Sequence, residues 1–176
     1  MKTYTATRRF ALTTTAILAT MSLSAEPLEI GADAPALKVK TDTGATLDLG
    51  ETYAKGVVLV YFYPRADTPG CTKQACNLRD HYTALQDAGI TVIGVSTDEV
   101  SAQKAFKEKF NLPFTLVADT KAKLVDGFGV PRNGDFARRQ AFLVQDGKVV
   151  WRDLQATPTT QSEDALAALA VLSSSG

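Results

Sequence analysis

The chain has 176 residues and no net formal charge, because 19 basic and 19 acidic side chains balance one another. A sequence of this length supplies the core of about one domain. It contains no basic run of the kind that binds phosphate backbones, so we expect no nucleic-acid partner.

Residues 1–25 have the pattern of an export signal. The basic start MKTYTATRRF is followed by the moderately apolar run ALTTTAILATMSL and then by small residues. The run is too short and too rich in threonine to anchor the chain in a bilayer, so we expect no membrane partner. We predict cleavage near Ser24 or Ala25 and a location in the bacterial periplasm. An ordinary N-terminal helix is the alternative, and Arg8-Arg9 leaves the twin-arginine export route open.

Residues 26–176 are predicted to form a single, mildly acidic α/β domain. In chain order we predict a hairpin at 36–50, a strand at 56–64, a helix at 71–89, a strand at 90–96, a helix at 101–111 capped by Ser101, a strand at 114–119, a short helix at 121–127, two strands joined by Asp146-Gly147, and a C-terminal helix capped by Ser162. The alternation indicates a mixed central sheet with helices on both faces. This is the thioredoxin-like arrangement with an N-terminal β-hairpin extension and one inserted strand and helix.

The only two cysteines, Cys71 and Cys76, lie five positions apart near the start of the predicted 71–89 helix. Thr68 suits the N-cap and Pro69 suits the first helical position, which puts Cys71 at the third position of the helix. The free backbone N–H groups and the helix dipole favour an anion there, so a thiolate would be stabilised. For this stretch alone, a plain capped helix that happens to contain a cysteine is the alternative.

An intact helix cannot carry a disulfide between these two cysteines. Five residues place the Cα atoms of an α-helix roughly 8.7 Å apart, whereas a disulfide needs about 4.4–6.8 Å. Closing so short a loop would return only about 2 kcal/mol of chain entropy, and each lost helical hydrogen bond costs about 1 kcal/mol. We therefore expect the two cysteines to cycle between a dithiol and a disulfide rather than to form a permanent crosslink.

Other uses of the cysteine pair fit the sequence less well. A metal site needs about four ligands, but the chain has no further cysteine and one histidine, His81, which we predict to be solvated. We therefore expect neither a metal nor a cofactor. A thioredoxin-type exchanger would have two residues between its cysteines, whereas this chain has four.

The segment YFYPRADTPGCTKQACNLRD resembles the active-site segment of the peroxiredoxins. It contains their P-x-x-x-T-x-x-C pattern as Pro64, Thr68 and Cys71, and the second cysteine is similar to that of the peroxiredoxin Q class, also called bacterioferritin comigratory proteins. The stretch VIGVSTDEVSAQKAFKEKFNLPFTLVAD, VDGFGV, and Arg139 ahead of Phe142 extend the resemblance over residues 27–155. PRAD departs from the class, which often has a lysine and a further acid there, and an export signal is also less usual.

The resemblance implies a thiol-dependent peroxidase. Cys71 would attack one peroxide oxygen and become a sulfenic acid, which Cys76 would convert to an intramolecular disulfide. Thr68 would hydrogen-bond the thiolate or the peroxide, Pro64 would exclude water, and Arg139 would stabilise charge as the O–O bond breaks. The resemblance also implies a peroxide substrate, a thioredoxin-like reductant and a monomer. An exported thiol–disulfide exchange protein and a non-enzymatic binding domain with a fixed disulfide are the alternatives.

Overall fold

The computed structural model describes residues 26–174, so the predicted export signal at 1–25 lies outside the described residues. The elements in chain order are β1 (Lys38–Lys40), β2 (Thr46–Asp48), α1 (Leu49–Tyr53), β3 (Val57–Phe62), α2 (Pro69–Asp80), α3 (Tyr82–Asp87), β4 (Ile90–Ser96), α4 (Val100–Phe110), β5 (Thr115–Ala118), α5 (Lys123–Gly127), β6 (Arg132–Asn133), β7 (Phe136–Ala137), β8 (Gln140–Gln145), β9 (Lys148–Asp153) and α6 (Gln161–Ser174).

A five-stranded mixed sheet, in the order β5-β4-β3-β8-β9, forms the centre of the fold. Strands β3, β4 and β5 are parallel, while β8 is antiparallel to both β3 and β9. Strands β1 and β2 form the predicted N-terminal hairpin as a separate sheet. This is the thioredoxin-like arrangement that the sequence predicts, with the inserted strand β5 at one edge.

Strand β3 contributes to a hydrophobic core on each face of the sheet, because successive side chains of a strand point to opposite faces. Val60 and Phe62 lie in a buried cluster with residues of α1 and α5. Leu59 and Tyr61 lie in a second cluster with residues of α2, α3, α4 and α6. Cys71 belongs to this second cluster, so α2 presents it to the sheet beside the end of β3.

The single helix predicted at 71–89 is wrong, because the chain breaks it into α2 and α3 at His81 (φ −107°, ψ 14°). The carbonyl of Asn77 lies 2.9 Å from Nδ1 of the His81 ring and also accepts the backbone N–H of His81 at 3.2 Å. A side chain that enters the hydrogen-bond ladder in this way is a recognised cause of helix kinks.

No helix within residues 26–174 is long and apolar enough to cross a membrane.

Both predicted helix caps at serines are wrong. Helix α4 begins one residue before Ser101, with Glu99 at the N-cap and no side-chain cap. Ser162 lies inside the first turn of α6, and its backbone N–H donates to Oδ1 of Asn77 at 2.9 Å. The side chain of Asn77 in α2 therefore accepts a free N–H at the start of α6, which is the role predicted for the Ser162 side chain.

Two turns show how far local sequence determines the backbone. Asp146 and Gly147 both have positive φ, 51° and 75°, as the predicted two-residue hairpin turn between β8 and β9 requires. The predicted helix at 121–127 starts only at Lys123, because Ala122 takes a left-handed conformation (φ 52°). The short hairpin of β6 and β7 has no alternating apolar pattern and was not predicted.

Candidate active site

The loop after β3 delivers the chain to the start of α2. Thr68 is the N-cap residue and Pro69 the first helical residue, as the sequence predicts. The Thr68 hydroxyl does not cap the helix but donates to the carbonyl of Arg65 at 3.0 Å. Its proton is therefore engaged with the loop, and the oxygen can still accept a hydrogen bond from a ligand.

A buried polar network holds this loop against β4 and α4. Oδ2 of Asp98 accepts the backbone N–H of Ala66 at 2.7 Å and the hydroxyl of Ser96 at 2.7 Å. Gln103 donates to Ser96 Oγ at 2.7 Å and accepts the hydroxyl of Tyr63. Two of these bonds hold the chain after β3, since Ala66 binds Asp98 and Tyr63 binds Gln103 of α4, and the other two link Asp98, Ser96 and Gln103 to one another.

Arg139, immediately before β8, approaches the sulfur of Cys71. Its Nη2 donates to Cys71 Sγ at 3.4 Å, and Cys71 is only 2% exposed. A Cβ on Gly70 would lie 3.1 Å from Nη2 of Arg139, so glycine at this position leaves room for the guanidinium. The arrangement puts a fixed positive charge beside a buried thiol, where it can stabilise negative charge that develops during attack.

Two buried glutamines, which the sequence analysis did not identify, fix the position of Arg139. Arg139 Nη1 donates to Oε1 of Gln74, and Gln74 Nε2 donates to Oε1 of Gln161 at 2.8 Å. Gln74 lies three residues after Cys71 and therefore on the same side of α2. That spacing could have pointed to Gln74. No local pattern could have pointed to Gln161, which lies 87 residues further along the chain.

Cys76 lies on the same continuous helix as Cys71, and both are free thiols. It is half-buried, whereas Cys71 is buried. Just beyond it, Asn77 binds the start of α6 through the carbonyl of Thr159 at 3.0 Å and the N–H of Ser162 at 2.9 Å. The end of α2 is thus attached to α6, and the stretch between the cysteines is held by the bond from Gln74 to Gln161 of α6 and by burial of Ala75 in the core.

Tyr61 and Tyr63 contribute to the buried cluster that also contains Cys71. Their rings stack with centroids 5.5 Å apart. Burial raises the pKa of both phenols well above the ordinary value of a tyrosine. Both phenols therefore stay neutral at physiological pH, and neither can serve as a base toward the thiol.

The structure places the other sequence-predicted residues around one cleft. Pro64, Thr68 and Arg139 all line an open cleft with a volume of about 910 Å³. Arg139 both lines this cleft and contacts Cys71 Sγ, so it joins the cleft to the buried sulfur. The cleft therefore lies next to the guanidinium that contacts the thiol.

His81 lies away from this cleft. It is exposed, as predicted, and its Nε2 lies 3.7 Å from Oε1 of Glu163. Within residues 26–174, no group of three or more His, Cys, Asp or Glu side chains is placed to hold a metal ion.

The comparisons with known proteins agree on one family. Residues 30–152 match the model of the AhpC/TSA family. A putative peroxiredoxin bcp of Coxiella burnetii is 47% identical over 103 residues, which are 58% of this chain and 68% of that protein. The chloroplastic peroxiredoxin Q of Suaeda salsa is 43% identical over 122 residues, covering 68% of this chain and 56% of that protein, so the match spans little more than half of that relative.

The fold agrees with the sequence matches. The crystal structure of peroxidoxin BcpB from Mycobacterium tuberculosis superposes with a TM-score of 0.77 at 29% identity, covering 82% of this chain and 98% of that one. The family match, residues 30–152, includes Cys71, Cys76 and Arg139. The chain therefore belongs to the AhpC/TSA family and is a peroxiredoxin, an oxidoreductase of the thiol peroxidase type, similar to the peroxiredoxin Q and bcp proteins.

Proposed function

We propose that the chain is an atypical two-cysteine peroxidase in which Cys71 reduces hydrogen peroxide and organic hydroperoxides. The observation that carries the proposal is the bond, 3.4 Å long, from Arg139 Nη2 to the buried Cys71 Sγ, together with an open cleft that Arg139 also lines. The Cys71 thiolate attacks one peroxide oxygen, the O–O bond breaks, and the sulfur becomes a sulfenic acid. The leaving oxygen takes up a proton and departs as water or an alcohol.

We assign a role in this step to Arg139, Thr68, Pro64 and Gln74. Arg139 stabilises the negative charge that moves from the sulfur to the leaving oxygen. Thr68 accepts a hydrogen bond from the peroxide hydroxyl, because its own proton is donated to Arg65. Pro64, which has no N–H and lines the cleft, keeps water from the reacting sulfur. Gln74 holds Arg139 in place and is a positioning residue.

Cys76 is proposed to resolve the sulfenic acid within the same molecule. Its thiolate attacks the Cys71 sulfur, a disulfide forms, and hydroxide leaves as water. The two cysteines lie on one continuous helix, so the stretch between them must open before the sulfurs can bond. A thioredoxin-like dithiol then reduces the disulfide, is itself oxidised, and restores the helix.

Helix opening gives a prediction for the oxidised protein. After one equivalent of peroxide, amide hydrogens of residues 70–76 are expected to exchange faster than in the reduced protein, because their helical bonds are broken. Residues 77–80 should change less, since Asn77 binds α6. Hydrogen-exchange mass spectrometry on both redox forms measures this, with Cys76→Ser as the matched control. Equal protection of 70–76 in the two forms, with the disulfide present, would contradict the opening.

Removal of the Arg139 guanidinium tests the charge-stabilising role. Arg139→Ala is expected to slow the peroxide step by about a hundredfold to a thousandfold, the usual effect of losing one donor to a developing negative charge. The second-order rate is measured at a pH where thiolate absorbance shows that Cys71 is ionised in both proteins. Arg132→Ala is the matched control, since Arg132 pairs with Asp126 at 3.0 Å and does not line the cleft. Wild-type rates in Arg139→Ala would restrict Arg139 to a structural role.

The reductant and the reaction class are tested together. Purified protein is supplied with hydrogen peroxide and a panel of thioredoxin-like donors, and donor oxidation is followed. Peroxide-dependent oxidation of a donor supports the peroxidase. Reduction of an insulin-type disulfide without peroxide consumption would instead identify a thiol–disulfide exchange protein. A disulfide that survives mild reductants would identify a binding domain.

We also propose export to the periplasm, based on the pattern of residues 1–25, and a monomeric state, based only on the resemblance to the peroxiredoxin Q class. The donor would then have to be a thioredoxin-like protein of that compartment. Cell fractionation and N-terminal sequencing of the recovered protein test this. A new N-terminus near Glu26 in the periplasmic fraction is expected, and a cytoplasmic protein that retains Met1 would refute export.

A further inference from the structure

The first residue of the C-terminal helix α6, Gln161, connects that helix to the active site. Its Oε1 accepts a hydrogen bond from Nε2 of Gln74 at 2.8 Å, and Oε1 of Gln74 accepts one from Nη1 of Arg139. Arg139 also donates to Cys71 Sγ at 3.4 Å. Both glutamines are fully buried, so water does not compete for the bond between them. A chain of hydrogen bonds therefore runs from the sulfur of Cys71 to α6.

This chain of hydrogen bonds has a fixed direction. A guanidinium can only donate, so the amide of Gln74 must turn its oxygen toward Arg139. The NH₂ group of Gln74 then points to Gln161, which must supply the oxygen. Gln161 is therefore the acceptor at the end of the chain, and without it one buried N–H of Gln74 would lose its partner.

The other half of the Gln161 amide supports this role. Its Nε2 is buried and has no hydrogen-bond partner within residues 26–174. A buried N–H without a partner costs free energy, and an apolar side chain of similar length would avoid that cost. The oxygen, which Gln74 binds, is the atom that offsets it.

Helix α6 is attached to α2 at two places that oxidation should affect differently. Gln74 lies between Cys71 and Cys76, in the stretch that must open before the two sulfurs can bond. Asn77 lies beyond Cys76 and accepts the backbone N–H of Ser162 at 2.9 Å. Opening of the stretch displaces Gln74 from α6 and can leave Asn77 in place. A contact made only in the dithiol form favours that form over the disulfide.

We propose that Gln161 is a positioning residue that holds Arg139 beside Cys71 through Gln74 and favours the dithiol form over the disulfide. In the dithiol, α6 keeps the guanidinium against the sulfur. In the disulfide, Gln74 leaves both of its partners, so the site is reassembled only when the disulfide is reduced. This rests on the proposed two-cysteine cycle and makes α6 a part of it.

The redox equilibrium tests the second half of the proposal. The full-length protein is equilibrated without oxygen in mixtures of reduced and oxidised dithiothreitol, and the disulfide fraction is measured by alkylation and mass spectrometry. The protein disulfide gains two electrons and two protons, and dithiothreitol loses them as it closes its own disulfide. Gln161→Met, which has a similar length but no amide oxygen, is expected to shift the equilibrium about fivefold toward the disulfide, the effect of one neutral hydrogen bond.

Glu163→Ala is the matched control for this shift. It removes a different contact between α6 and α2, since Oε2 of Glu163 accepts from Nδ2 of Asn77 at 3.2 Å. Within the described residues, Glu163 forms no hydrogen bond to Gln74. The dithiol–disulfide equilibrium of Glu163→Ala is therefore expected to equal that of the wild type. Gln161→Asn, whose amide is one methylene shorter, carries the same expectations as Gln161→Met should the methionine variant fail to fold.

A double-variant comparison tests whether Gln161 acts through Gln74. Gln161→Met and Gln74→Met are each expected to slow the peroxide step by about tenfold, because Arg139 is no longer held in its productive position. The variant that carries both substitutions should be no slower than Gln74→Met alone, since the chain of bonds is already broken there. Two residues that contribute independently would instead multiply their effects.

Several results would overturn the proposal. An unchanged redox equilibrium in Gln161→Met would do so, as would an equal shift in Glu163→Ala, which would reflect general loosening of α6. Multiplied effects in the double variant would also contradict a role through Gln74. If the wild type forms no disulfide between Cys71 and Cys76, the proposed cycle itself has failed, and the peroxide rates of the double variant still decide the role of Gln161.

Discussion

Replacement of Cys71 by serine is expected to abolish peroxide consumption, with a fall of several orders of magnitude in the second-order rate. Cys71 alone combines a position in the first turn of α2, burial beside the sheet and a guanidinium 3.4 Å from its sulfur. A serine hydroxyl at the same place is a far weaker nucleophile and cannot form the sulfenic acid. The rate is measured by peroxide loss under pseudo-first-order conditions.

The control experiment for Cys71→Ser tests whether the variant still folds. Serine is close to cysteine in size, and Arg139 can still donate to its oxygen, so we expect thermal unfolding and circular dichroism close to those of the wild type. A folded Cys71→Ser protein with near wild-type turnover would end the assignment of Cys71 as the reacting thiol.

Replacement of Cys76 by serine is expected to leave the reaction of Cys71 with peroxide intact and to block the later formation of the disulfide. The first turnover with peroxide should proceed at the wild-type rate, because within the described residues Cys76 neither hydrogen-bonds Arg139 nor lines the cleft. Turnover with a thioredoxin-like donor should stop, since no disulfide can form. The sulfenic acid then persists, and Cys71 should over-oxidise to the sulfinic acid at lower peroxide concentrations than in the wild type.

Rapid-mixing kinetics and intact-protein mass spectrometry measure these effects on the same sample. The expected result is one fast oxidation event followed by stepwise addition of oxygen to Cys71. Wild-type turnover of Cys76→Ser with the same donor would show that another thiol, on the donor itself, resolves the sulfenic acid.

Those parts of the fold and site that depend on neighbours in sequence could be predicted from it. The apolar run of β3, the Asp146-Gly147 turn, and the Thr68-Pro69 helix start all follow from local backbone preferences, and the structure contains each of them. Pro64, Thr68 and Cys71 could be named as candidates because they lie within eight consecutive residues.

The parts that could not be predicted depend on contacts between distant segments. In the sequence, Gln74 is an ordinary polar residue of a helix. Its role becomes visible only in the fold, where it binds Arg139 and Gln161. Ser162 looks like a cap because nothing in the sequence shows that Asn77 of α2 will bind its N–H. Local propensity is overridden in such cases by tertiary partners.

The cleft was missed for the same reason. Its walls come from the loop after β3, the β6–β7 hairpin and the segment after β9, three stretches that lie far apart in sequence. The hairpin strands have two residues each, which is too short for a periodic pattern. The sequence therefore could not show which residues surround Arg138.

The most direct test of the peroxidase cycle is a map of the thiols after one equivalent of hydrogen peroxide. The reduced protein is oxidised, alkylated, digested without reductant and analysed by mass spectrometry. We predict one linked peptide joining Cys71 to Cys76, formed within a single molecule, with both thiols lost together. Recovery of both cysteines as alkylated thiols, or a disulfide that links two molecules, would contradict the cycle.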